Sequence, residues 1–80
     1  MKKKQIPEEH QMKLDYIGAL IREYRFGEGW TQQMLGEYCN LNRNTISRAE
    51  NGGNVSVLTI LEIVDSLDIK IVDLFDEQSN

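Results

Sequence analysis

The stretch TQQMLGEYCNLNRNTISRAENG, residues 31–52, holds two short helical patterns separated by a very short turn. Thr31 can cap the first helix by accepting a hydrogen bond from a free first-turn amide, and Asn42 can cap the second in the same way. Asn40 can adopt the left-handed conformation that ends a helix. The stretch therefore predicts two helices joined by a tight turn. The residues expected to face the core from the first of them are Leu35, Tyr38 and Cys39.

The flanking sequence predicts three more helices. From residue 8 to residue 26, apolar residues recur mostly at spacings of three and four, and the glycines at 27 and 29 are expected to end that helix. After the turn, Ser56 can cap a fourth helix, and residues 69–75 fit a short fifth helix or, because several are β-branched, a strand. The inward residues are expected to be Met12, Tyr16, Ile17, Leu20, Ile21 and Tyr24 in the first helix, Val57, Ile60, Leu61, Val64 and Leu67 in the fourth, and Ile71, Leu74 and Phe75 in the fifth.

The predicted organisation is one all-α domain. The chain has 80 residues, 40% hydrophobic and 28% charged, which suits a single compact soluble domain. Residues 1–7, with the lysine run Lys2, Lys3 and Lys4 and then a proline, are expected to form a flexible basic arm. Residues 8–76 are expected to form the five-helix domain, and residues 77–80 a short acidic and polar tail.

The charge is unevenly distributed along the chain. The net charge is −4, yet residues 1–54 carry eight Lys/Arg against seven Asp/Glu, whereas residues 55–80 carry one Lys against six acids. The acidity is therefore concentrated in the last third. Residues 1–54 can therefore still bind a polyanionic partner, although the long-range electrostatic attraction between this chain and such a partner is weaker than for a basic domain.

Several function classes are disfavoured. The longest mainly apolar stretch, residues 57–64, is far shorter than the roughly 20 residues that cross a bilayer. The lysine run is followed by polar residues and not by the apolar segment that a signal peptide requires. His10 and Cys39 are the obvious candidates for a base and a nucleophile, and about thirty residues separate them. A single cysteine forms neither an intramolecular disulfide nor, with one histidine, a four-ligand metal site. We therefore expect a cytoplasmic protein with no catalytic residue, cofactor or metal.

Residues 31–52 resemble the recognition motif of the Xre-type, or lambda-repressor-like, helix-turn-helix family, with its TQ start and ISRAENG end. The resemblance extends to IGALIREYR, residues 17–25, and to SVLTILEIVDSLDIKIVDLF, residues 56–75. It implies a compact five-helix lambda-repressor-like domain that binds double-stranded DNA sequence-specifically as a small transcriptional regulator. A repressor is favoured over an activator.

The helix predicted from about residue 42 to residue 51 has a polar side suited to the major groove. Ile46 and Ala49 point toward the core, whereas the residues opposite them can donate to or accept from base edges, arginine to guanine and asparagine to adenine. The family makes base contacts from these positions. The predicted base-contacting residues are Arg43, Asn44, Thr45, Ser47 and Arg48. The alternative is an ordinary solvated helix face.

Helix N-termini present free amides that attract phosphate, and the family uses the glutamine of the TQ start against the DNA backbone. The predicted phosphate-contacting residues are Thr31, Gln32, Asn42, Asn51 and Arg25, for which capping and turn formation are the alternative. The resemblance also implies a partly buried structural ion pair between Arg25 and Glu50, which would orient the recognition helix. Arg22 fits an ordinary exposed arginine or a phosphate contact.

Proteins of this fold usually pair so that two recognition helices enter successive major grooves, which implies a homodimer on a pseudopalindromic operator. The predicted dimer surface consists of Ile69, Ile71, Val72, Leu74 and Phe75, and the alternative is that these residues close the monomer's own core. The alternative function is a protein-binding module, such as an antitoxin-like partner that uses the same fold. A protein-docking face would more often carry exposed apolar anchors than the polar set predicted here.

Overall fold

The computed structural model describes residues 5–75, so Lys2, Lys3 and Lys4 of the predicted arm, residue 76 and the predicted tail at 77–80 lie outside the described residues. Within that range the chain forms five helices and no strand, which confirms the predicted all-α class. Of the two alternatives for residues 69–75, the helix is correct, and it spans residues 71–74. The helices are α1 (Glu8–Glu28), α2 (Gln32–Cys39), α3 (Arg43–Glu50), α4 (Val57–Ser66) and α5 (Ile71–Leu74).

Side-chain caps begin both helices of the helix-turn-helix. Thr31 Oγ1 accepts a hydrogen bond from the Met34 amide at 3.0 Å, and Asn42 Oδ1 accepts one from the Asn44 amide at 2.7 Å. Asn40 has a φ of 59°, the left-handed conformation that ends α2. Each cap satisfies a backbone group that has no partner within its helix, and the left-handed Asn40 with the Asn42 cap sets the direction in which α3 leaves the turn.

The first helix is longer than predicted. Gly27 continues α1, and the helix ends at Gly29, whose φ of 75° is left-handed. A glycine inside a helix lowers helix propensity without forcing a stop, whereas a left-handed residue ends the helix. The sequence pattern identified the right glycine-rich segment but assigned the stop two residues too early.

The core lies where α1, α2, α3 and α4 meet. Each of these helices contributes one fully buried side chain, namely Ile21, Leu35, Ile46 and Ile63. The helix α1 packs against α3 and α5, and α2 packs against α3 and α4. Tyr16 Oη of α1 donates a hydrogen bond to the Asp73 carbonyl at 3.1 Å, which anchors α5 to α1. In the part of the chain that the structure describes, none of these helices has the length and hydropathy to cross a membrane.

Seven apolar residues predicted to face inward are instead exposed. A helix buries only the part of its apolar face that packs against another element. The helix α5 has four residues, of which Leu74 is buried, so it covers little of the neighbouring helices. Tyr38 packs on the Trp30 ring, with 4.3 Å between the ring centroids, and stays at the surface. The exposed residues are Met12 and Tyr24 of α1, Tyr38 of α2, Val57 and Leu61 of α4, and Ile71 and Phe75 at α5.

Candidate nucleic-acid interface

The helix α3 divides into a buried side and a polar side. Ile46 and Ala49 are buried against the core. Arg43 and Asn44, in the first turn, are exposed, and Ser47, one turn later, is half-buried. Thr45 is also half-buried, which limits it to the margin of this face. The structure thus brings the predicted base-contacting residues onto one helix whose opposite side is fixed to the domain.

Arg48, the remaining predicted base contact, is held by the loop that follows α3. Its Nη2 donates to the Asn54 carbonyl at 3.0 Å, and its own carbonyl accepts from the Gly53 amide at 2.7 Å. The side chain is exposed. The hydrogen bond to Asn54 uses one of the five guanidinium N–H donors, so the others can contact a base edge within the reach that this bond allows. Sequence reasoning placed Arg48 on the polar face but had no signal for this loop contact.

The Arg25 and Glu50 side chains join the ends of α1 and α3. Arg25 Nε donates to Glu50 Oε2 at 2.6 Å, Nη2 donates to Glu50 Oε1 at 2.9 Å, and Nη1 donates to the Trp30 carbonyl at 2.8 Å. The two residues are 7% and 3% exposed. All three guanidinium nitrogens are thus engaged inside the protein, and the predicted phosphate contact of Arg25 stays a prediction for its remaining N–H groups.

The protein around Glu50 keeps this carboxylate ionised. Burial alone raises the pKa of Glu50, but hydrogen bonds from Arg25, Gln32 and Arg22, together with the Arg25 charge, lower the pKa below its ordinary value. Gln32 Nε2 donates to Glu50 Oε1 at 3.1 Å. Gln32, predicted to contact phosphate, therefore also donates a hydrogen bond to this buried carboxylate, a role that the sequence pattern did not reveal.

The second arginine of α1 reaches the end of α3. Arg22 Nε lies 3.4 Å from Glu50 Oε1, and Arg22 Nη2 donates to Asn51 Oδ1 at 3.1 Å. Asn51, predicted to contact phosphate, donates in turn to Ser47 Oγ at 3.4 Å. Sequence reasoning treated Arg22 as an exposed arginine or a phosphate contact, and only the packing of α1 on α3 shows its link to the polar face.

The predicted dimer surface is partly wrong. Ile69 is 5% exposed and Leu74 is 2% exposed, so both belong to the monomer core. They are buried because the chain after α4 turns back through Asp68, whose φ of 60° is left-handed, and lays α5 on α1. The rest of the predicted surface is exposed and adjoins a groove between α4 and α5. The exposed apolar residues of this region are Val57, Leu58 and Leu61 of α4 and Ile71, Val72 and Phe75 at α5.

Cys39 is a buried thiol. Burial raises its pKa, and the Ser66 hydroxyl, 3.3 Å from Cys39 Sγ, only partly offsets this effect. A thiol with a raised pKa is a weak nucleophile at neutral pH. Within residues 5–75, no cluster of His, Cys, Asp and Glu side chains is arranged to hold a metal ion.

Comparison with known proteins identifies relatives. The helix-turn-helix family model matches residues 21–74. The competence pilus inhibition repressor of Acinetobacter baylyi is 39% identical over 46 residues, which represent 58% of this chain and 42% of that repressor. The chain therefore spans less than half the length of this curated relative.

Solved structures show the same fold. The restriction-modification controller protein C.AhdI of Aeromonas hydrophila superposes with a TM-score of 0.72 and 34% identity, covering 80% of this chain and 98% of that chain. The controller protein C.Esp1396I, solved as a tetramer in complex with its 35 base-pair operator, superposes with a TM-score of 0.68 and 30% identity, covering 79% and 84% of the two chains. Together with the family match over residues 21–74, these results show that the chain belongs to the Xre-type, lambda-repressor-like helix-turn-helix family.

Proposed function

We propose that this protein binds double-stranded DNA sequence-specifically and regulates transcription, with α3 in the major groove. The observation that carries the proposal is the construction of α3. One side is fixed to the domain by Ile46, Ala49 and the buried Glu50, while the other side presents polar side chains that can recognise base edges. The relatives are a repressor and controller proteins, one of them bound to its operator.

Each predicted residue has a defined role in this proposal. Base contacts come from Arg43, Asn44, Ser47 and Arg48, with Thr45 at the margin. Phosphate contacts come from the N-terminal turns of α2 and α3, where free amides and polar side chains lie together, and from the C-terminal end of α3. The phosphate-contacting set is Thr31, Gln32, Asn42 and Asn51, and Arg25 acts mainly by holding Glu50.

We propose a homodimer that occupies a pseudopalindromic operator and represses transcription by occupancy. The exposed apolar residues of α4 and α5 are the surface for a second copy, because their burial would remove apolar area from water. This revised surface consists of Val57, Leu58, Leu61, Ile71, Val72 and Phe75. We propose that the protein acts in the cytoplasm, where it would reach DNA, and we propose no catalytic role.

A protein-binding role is the second candidate function, and one observation favours it. The Trp30–Tyr38 stack and the neighbouring Phe26 expose aromatic surface, with Tyr38 and Phe26 each 64% exposed. Exposed aromatic residues are frequent anchors of protein interfaces. Such a partner could bind alongside DNA, since this surface is distinct from the polar side of α3.

Selection of binding sites from random duplexes tests the proposed function. The wild-type protein is expected to enrich a pseudopalindrome, and Arg43→Ala is expected to lose about 1–3 kcal/mol of discrimination at one symmetric pair of positions. The reason is that Arg43 can form two hydrogen bonds to a guanine edge. Enrichment is measured by sequencing, and affinity is measured across salt concentrations.

Lys70→Ala is the matched control, because it removes one exposed positive charge outside the helix-turn-helix. It should leave the selected sequence unchanged. If the wild-type protein neither enriches a sequence nor binds duplexes in a salt-sensitive way, the proposed function is wrong and the protein-binding role takes its place.

A further inference from the structure

Three polar side chains form a chain of hydrogen bonds from α1 to the polar side of α3. Arg22 Nη2 donates to Asn51 Oδ1 at 3.1 Å, and Asn51 Nδ2 donates to Ser47 Oγ at 3.4 Å. Arg22 is itself placed by Glu50, whose Oε1 lies 3.4 Å from Arg22 Nε. The network therefore runs from the buried ion pair to one of the proposed base-contacting residues.

The chemistry of the groups fixes the direction of every hydrogen bond in this network. A guanidinium only donates, so the oxygen of the Asn51 amide must face Arg22. The NH2 group of the amide then faces Ser47, because the two ends of the amide are opposite. Ser47 Oγ must accept. Within the described residues, no hydrogen bond donated by the Ser47 hydroxyl is present, so its proton is available to a ligand.

We propose that Arg22 is a positioning residue that makes Ser47 a hydrogen-bond donor toward DNA. A serine hydroxyl by itself can donate or accept, so it distinguishes bases poorly. With one of its two lone pairs occupied by the Asn51 amide, the hydroxyl keeps its proton and a single lone pair for DNA, which shifts its balance toward donation. This inference rests on the proposed function, and it adds a specificity that the residue type alone does not give.

A donor at Ser47 selects bases by the acceptors they show in the major groove. Guanine shows N7 and O6, adenine shows N7, and thymine shows O4, whereas cytosine shows the N4 amino donor. At the position that Ser47 contacts, the selected strand should therefore disfavour cytosine. Asn51 keeps a second Nδ2 proton, which leaves its proposed phosphate contact possible.

Asn51→Asp reverses the polarity while nearly preserving the shape. A carboxylate only accepts, so it still pairs with Arg22 but now requires Ser47 to donate to it. The hydroxyl then presents lone pairs to DNA. At one position in each half-site, relative affinity is expected to shift toward cytosine by about three- to tenfold, the range of a single hydrogen bond. The added negative charge lowers affinity for all sequences, so base preference at this position is the measured quantity.

Three further variants test whether the effect acts through Ser47. In a Ser47→Ala background, Asn51→Asp should no longer change base preference. Arg22→Met, which removes the donor that orients the amide, should relax the preference at the same position, whereas Arg22→Lys should retain it. A thermal unfolding transition shows whether each variant is folded. If Asn51→Asp does not fold, Arg22→Met serves as the test.

The outcomes separate this inference from the proposed function. If the wild-type protein selects a site but Asn51→Asp and Arg22→Met leave the preference at every position unchanged, the positioning role is overturned and sequence-specific binding stands. If Asn51→Asp changes base preference equally in the wild-type and Ser47→Ala backgrounds, the positioning role of Arg22 is also overturned. If the wild-type protein selects no site, the proposed function fails and the inference fails with it.

Discussion

Glu50→Ala is expected to lower the free energy of unfolding by about 3–5 kcal/mol, the range for removal of one partner from a buried ion pair. The variant leaves Arg25, a residue that is 7% exposed, without the two hydrogen bonds that Glu50 accepts from it. Gln32 also loses its acceptor. A domain of this size has a total stability of about 4–12 kcal/mol, so a large fraction of the protein should unfold at moderate temperature. Urea unfolding followed by circular dichroism measures the loss.

The control is Glu62→Ala, which removes an exposed glutamate from α4 and should change stability by less than about 0.5 kcal/mol. A second comparison is the double variant Arg25→Met with Glu50→Leu. Removing both charges leaves no uncompensated buried ion, so most of the lost stability should return. If Glu50→Ala destabilises no more than Glu62→Ala, the pair does not hold α3 in the domain.

The same carboxylate gives stability a defined dependence on pH. The folded-state pKa of Glu50 lies below its ordinary value, which is about 4.3 for an unfolded chain. Its contribution is therefore complete above the unfolded-state pKa and is lost as the pH falls through the lower, folded-state pKa. The stability difference between wild type and Glu50→Gln is expected to stay constant from pH 7 to about pH 5 and to shrink below about pH 4.3. A difference that grows on acidification would contradict the assignment.

The helix-turn-helix was predictable because its signals are local. Thr31, Asn40 and Asn42 act within a few residues of the backbone groups they satisfy, and their types identify caps and a left-handed stop without reference to the rest of the chain. The Arg25–Glu50 contact was inferred from family resemblance, and the structure places those two side chains together. Sequence periodicity alone would not have paired residues that lie 25 positions apart.

The surfaces were predicted less well because exposure depends on which helix covers which. Tyr38 follows the apolar period of α2, yet no helix among residues 5–75 covers it, and it stacks on Trp30. Ile69 and Leu74 looked like candidates for a dimer surface, but the left-handed turn at Asp68 carries them into the core. The link from Arg22 to Asn51 had no sequence signal, since it depends on the register between α1 and α3.

Gly18→Ala is expected to destabilise the protein by about 1–3 kcal/mol, near the upper end of that range, although alanine is the better helix former by about 1 kcal/mol. Gly18 lies where α1 crosses the end of α3. A Cβ at this position would lie 2.5 Å from the Glu50 carbonyl oxygen and 2.6 Å from the Ala49 carbonyl oxygen. These are backbone atoms, which cannot rotate away, so the two helices must separate. Thermal and urea unfolding measure the effect.

Gly27→Ala is the matched control, because it makes the same substitution in the same helix at a position where no atom of the described residues lies within 4 Å of the added Cβ. It should stabilise the protein by about 0.5–1 kcal/mol through helix propensity. Opposite signs for the two substitutions would show that close contact between α1 and α3 determines the residue at position 18. Since separation of these helices also moves Glu50 away from Arg25, Gly18→Ala should weaken operator binding of the folded protein, and Gly27→Ala should not. Equal effects of the two substitutions on stability and on binding would contradict the proposed role of the contact between α1 and α3. They would show that the turn alone determines the position of the recognition helix.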